Sequence, residues 1–172
     1  FILEANQSRP EALTTSSEST ISNKRILVAD DNADLRLYLK NTLSPHWQVE
    51  IVGNGTQALI SALKTRPDLI LSDVMMPVLD GFGLIQELKK HARTKSIPII
   101  LLSARAGEES KIEGLESGAD DYLSKPFSAK ELIARVKSHL KIGHLRVEGE
   151  KAKAEAEIAN QAKSSFLANM SH

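Results

Sequence analysis

Oxygen- and nitrogen-bearing side chains with chemical potential close four short apolar runs of this 172-residue chain. Asp30-Asp31 follow Ile26-Leu27-Val28-Ala29, and Asp73 follows Leu69-Ile70-Leu71. Ser103 ends the run from Ile97 to Leu102, and Lys125 comes just after Tyr122-Leu123. If the runs are parallel strands of one sheet, their ends share an edge, and three carboxylates, a hydroxyl and an ammonium converge there. Two unit charges about 4 Å apart repel by roughly 4 kcal/mol at an effective dielectric near 20. Lys125 alone cannot balance three anions. A hard divalent cation with oxygen ligands can, and Mg²⁺ is the usual choice where a phosphate also coordinates. The same charge stabilises a phosphoryl group in transfer. Taken singly, a strand-end Asp is a turn former or helix cap, Ser103 a helix-entry hydroxyl and Lys125 a solvated charge. Convergence at one edge is what favours chemistry.

The elements that must position these groups alternate in character. The apolar runs, with Val49 to Val52 as the second in order, read as strands buried on both faces. Between them Leu35, Tyr38, Leu39 and Thr42 or Leu43 recur at helical spacing. So do Ala58, Leu59, Ala62 and Leu63, then Leu84, Ile85 and Leu88. The fourth interval offers only Ile112 and Leu115. The fifth has Leu132, Ile133, Val136 and Leu140, opened by Ser128 and Glu131 as a capping box. Five βα units of this length predict a doubly wound α/β domain on a five-stranded parallel sheet.

Residues 1–24 are polar and read as a flexible linker; the domain runs from 25 to 142. Residues 143–172 read as a helical extension rich in Glu, Lys and Ala. Ala152, Ala159, Ala162 and Phe166 fit heptad a and d positions, interrupted by Glu155 and Asn169, so a coiled coil and a solvated single helix both stay open. Gly143 and Gly149 each cost roughly 1 kcal/mol inside a helix, which predicts a bent or loose join. Lys plus Arg and Asp plus Glu both total 22, so no basic excess points to nucleic acid. Cysteine is absent, excluding thiolate sites and disulfides, and no run is long enough to span a bilayer. The expected location is cytoplasmic, with no membrane contact from this segment. His46, His91, His139 and His144 lack metal-ligand spacing and read as surface residues.

The stretch Ile26 to Asn32 resembles the opening of response-regulator receiver domains of two-component signalling. So do Asp73-Val74-Met75-Met76-Pro77 with Asp80-Gly81, Ser103-Ala104, and Gly118 to Leu123 leading into Lys125-Pro126-Phe127. The resemblance covers about residues 25 to 140 in order and spacing. It implies a flavodoxin-like sheet of order 2-1-3-4-5, with Asp73 as phospho-acceptor. Asp31 would ligate Mg²⁺ (or Mn²⁺) directly, Asp30 through water, and the Met75 backbone carbonyl would complete the protein ligands. Lys125 would pair with the phosphoryl oxygens, Ser103 would hydrogen-bond them, and the Tyr122 rotamer would report the state. Ser103 replaces a commoner Thr, and Met75 and Arg105 stand where the family tunes dephosphorylation. The implied partner is the phosphohistidine donor domain of a histidine kinase.

The ending Phe166-Leu-Ala-Asn-Met-Ser-His172 resembles the start of a histidine-kinase phosphoacceptor helix, with His172 as the phosphorylated residue. That implies a hybrid sensor kinase and a homodimer through the C-terminal helix. ATP would enter only through a kinase domain not in this sequence. Phe1-Ile2-Leu3 resembles, more faintly, the last strand of an upstream ATP-binding domain. Three rivals are an aspartyl-nucleophile phosphatase, a docking receiver that is never phosphorylated, and a stand-alone response regulator. The phosphatase pattern Asp-x-Asp fails because its second Asp is Met75 here.

Overall fold

The structure, a computed structural model, describes residues 22–105 and 107–170. Five strands and five helices alternate along the chain. They are β1 (Ser22–Ala29), α1 (Ala33–Leu43), β2 (Trp47–Val52), α2 (Gly55–Lys64) and β3 (Leu69–Asp73). There follow α3 (Gly81–Lys89), β4 (Ile99–Ser103), α4 (Glu108–Glu116), β5 (Asp121–Ser124) and α5 (Ala129–Met170). All strands are parallel, in the order β2-β1-β3-β4-β5.

Successive strand residues point to opposite faces, so each run feeds two cores. Leu27, Ala29, Ile70, Ile99 and Leu101 pack with Ala58, Ala62, Leu84, Ile85 and Leu88 of α2 and α3. Ile26, Val28, Leu69, Leu71, Ile100 and Leu102 pack with Leu39 and Leu43 of α1 and Leu132 and Val136 of α5. Helices on both faces explain why β3 and β4 are apolar almost throughout.

Three expectations about elements change. β1 starts at Ser22, three residues inside the stretch read as linker. β4 starts at Ile99, because Pro98 lacks an N–H for the ladder; Ile97 is nevertheless buried in the core. On α4, Ile112 and Leu115 are exposed, and the buried residue is Gly114.

The largest difference concerns α5, which runs unbroken through Gly143 and Gly149. Gly143 is a close-approach residue: a Cβ there would lie 3.0 Å from Pro98 Cγ and 3.1 Å from Cδ. Arg146, one turn on, forms a salt bridge with Asp120 ahead of β5. These contacts fasten the helix to the sheet beyond the expected boundary. From Val147 to Asn169 every residue is exposed. Among the described residues no helix is long and apolar enough to cross a membrane. Phe1 to Leu3 and His172 lie outside the described residues.

Candidate phosphoryl and metal site

Each strand end is held by a local device that leaves its side chain at the edge. After β1, Asp30 Oδ1 accepts from the Asn32 N–H at 2.8 Å, and Asn32 in turn caps α1 through the Leu35 N–H. The Arg36 guanidinium donates to the Asp30 carbonyl at 2.7 Å. After β3, Asp80 caps α3 by accepting from the Gly83 N–H, and the Gly81 N–H donates to the Val74 carbonyl at 2.9 Å. A Cβ on Gly81 would stand 2.5 Å from the Asp73 carbonyl oxygen, so α3 begins this close to Asp73 only with glycine. At the far side, the Lys125 N–H donates to the Ser103 carbonyl at 2.7 Å and holds the ends of β4 and β5 together.

The sheet therefore assembles Asp30, Asp31 and Asp73, with one carboxylate oxygen from each lying within 4.8 Å of the others. Asp30 and Asp73 are buried and Asp31 is exposed. Lys125 Nζ stands 3.3 Å from Asp30 Oδ2 and 3.6 Å from Asp73 Oδ1. Burial, and then the Asp30 carboxylate, raise the Asp73 pKa above its ordinary value. Lys125 and backbone hydrogen bonds from Met75 and Val74 pull it down without cancelling that rise. A divalent cation at these carboxylates would offset both effects and favour the ionised form of Asp73. An all-oxygen donor set with one ammonium nearby fits a hard ion such as Mg²⁺.

The other expected residues stand one step back. Ser103 is buried at the end of β4, and its Oγ accepts from the Arg105 N–H at 3.1 Å, turned into its own loop. Tyr122 pairs in register with Leu101, and its ring is buried. Its hydroxyl donates to the Arg105 carbonyl at 3.2 Å. The Met75 side chain is exposed.

Helix-face reasoning would have found a cluster that metal spacing missed. His139 is not a surface residue: its Nε2 lies 2.9 Å from Asp121 Oδ2, and its Nδ1 is buried. Arg135 Nη1 donates to both oxygens of the same carboxylate at 2.8 Å. Burial raises the Asp121 pKa, but the hydrogen bonds from Arg135 and His139 outweigh it, and the net direction is down.

Residues 26–137 match the response regulator receiver domain family. The chain is 42% identical over 125 residues to the transcriptional regulatory protein PrrA of Mycobacterium leprae, covering 72% of this chain and 53% of that protein. It is 43% identical over 115 residues to histidine kinase P4 of Formosa agariphila, covering 67% of this chain but 8% of that protein. The receiver domain of the sensor histidine kinase PA1611 from Pseudomonas aeruginosa PAO1, solved with magnesium in its active-site cleft, superposes with a TM-score of 0.65. The two are 32% identical, covering 70% of this chain and 99% of that one. The chain thus spans about half the length of one curated relative and a small part of another. Strand order, edge chemistry and these matches agree, and the chain belongs to the receiver domain family of two-component signalling.

Proposed function

We propose that Asp73 is the phospho-acceptor of a phosphorelay, taking its phosphoryl group from a phosphohistidine. The observation that carries this is the meeting of the Asp30, Asp31 and Asp73 carboxylates beside Lys125 Nζ. An Asp73 carboxylate oxygen attacks phosphorus, an O–P bond forms, and the P–N bond to the donor imidazole breaks. Its electron pair returns to the ring nitrogen. Lys125 binds the phosphoryl oxygens, and Ser103 turns its hydroxyl from the Arg105 N–H toward them. Asp30, Asp31, Asp73 and the Met75 carbonyl would hold Mg²⁺. Once bound, that ion offsets the negative charge of the transferring group.

The parent protein is proposed to be a hybrid sensor histidine kinase, with His172 as a second phosphorylated residue and α5 as the connection toward it. The sequence from Phe166 to His172 and the similarity to kinase P4 support that reading. Similarity to PrrA favours a second reading, a receiver in a stand-alone transcriptional regulator. Intact-mass measurement with acetyl phosphate and Mg²⁺ tests the site common to both. One phosphoryl group should appear on the native chain and none on Asp73→Asn. Labelling of the variant at another carboxylate refutes the assignment.

A further inference from the structure

Helix α4 meets the sheet through a glycine. Gly114 is its buried residue, while Ile112 and Leu115 face outward. A methyl group at position 114 would stand 2.6 Å from Cδ2, 3.2 Å from Cε2 and 3.5 Å from Cγ of the Tyr122 ring. The shortest of these is about 1 Å inside a relaxed carbon contact. Glycine is a poor residue for a helix interior, so helix stability does not account for it. The ring that fills the slot donates from its hydroxyl to the Arg105 carbonyl, and the Arg105 N–H donates to Ser103 Oγ. Contact thus runs unbroken from the α4 backbone, through one ring and one loop residue, to the hydroxyl at the end of β4.

We infer that Gly114 is a positioning residue for the phosphoryl-binding loop, acting through Tyr122. This rests on the role of Ser103 proposed above. A methyl group in the slot either swings the ring out or lifts α4, and both separate the Tyr122 hydroxyl from Arg105. The loop backbone at Arg105 then loses its outer anchor, and the main chain from which Ser103 turns its hydroxyl toward the phosphoryl group is held less firmly.

The test compares native chain, Gly114→Ala, Tyr122→Leu and the double variant, each checked for folding by circular dichroism. Two tyrosines are present, Tyr38 at 43% exposure and Tyr122 at 5%, so 3-fluorotyrosine labelling gives two fluorine resonances, assigned with Tyr38→Phe. In Gly114→Ala the Tyr122 resonance should move toward that of exposed Tyr38. Phosphorylation of Asp73 by acetyl phosphate should slow roughly fivefold. In the Tyr122→Leu background, adding Gly114→Ala should change the rate less than about twofold. An unmoved Tyr122 resonance in folded Gly114→Ala overturns the inference, and so does an equal slowing in the Tyr122→Leu background. Should Gly114→Ala not fold alone, folding of the Gly114→Ala, Tyr122→Leu double variant supports the inference, and an unfolded double variant overturns it. Absence of phosphate on native Asp73 would instead refute the site, while the fluorine shift still decides whether Gly114 holds the ring.

Discussion

Asp121 is buried at the start of β5 and accepts from the Tyr122 N–H, from Arg135 and from His139. Its carboxyl is held below the ordinary range, so its contribution to stability is fully present above the unfolded pKa of about 3.9 and is lost as pH falls through the folded value. Arg135→Met should therefore lower stability at pH 7 by about 1–2 kcal/mol. A fully enclosed pair would lose more, but Arg135 is 41% exposed. The gap between native and variant in urea denaturation should narrow below about pH 4. A gap independent of pH would remove Asp121 from the account. Of the two polar clusters, the one at the strand ends was legible, because Asp30, Asp73, Ser103 and Lys125 each close an apolar run. The Asp121 cluster was not, because its histidine was weighed as a metal ligand. Arg135, His139 and Arg146 fall within about 40° around one helix, and that stripe was the missed signal.

Glycine had two opposite meanings along α5, and sequence could not separate them. At Gly143 the added Cβ meets Pro98 from a distant part of the chain, while at Gly149 nothing lies within 4 Å. Both look alike in a list of propensities. Gly149→Ala should stabilise the helix by roughly 0.5–1 kcal/mol, slowing amide exchange of its neighbours about two- to fivefold. Gly143→Ala should gain less, because Pro98 must give way. Equal protection in both variants would mean that the Pro98 contact does not fasten the helix. Periodicity located the inner faces of α2, α3 and α5, since their apolar stripes meet strands, and that of α1 except for Tyr38, which is exposed. It failed on α4, where the contact is made by the absence of a side chain.

The α/β alternation was readable from the whole chain because both faces of the sheet are covered, which forces near-continuous apolar strands. The reach of α5 was not, since Gly143 and Arg146 contact residues remote in sequence. Val147 to Asn169 extend about 35 Å at 1.5 Å per residue, with every side chain exposed. Ile158 and Phe166, at 68% and 63% exposure, are apolar groups that a second copy of the chain would cover. Sedimentation should show a concentration-dependent dimer that Ile158→Glu returns to monomer. A native chain monomeric at all concentrations would count against pairing through α5. The fastening at Gly143 and Arg146 also gives the molecule a mechanical advantage. Moved as one body about a pivot at the sheet, α5 would act as a lever, and a turn of about 5° at that pivot would sweep the far end through ~3 Å. Sub-ångström adjustments around Asp120 would thus arrive at Phe166 as displacements on the scale of a side chain.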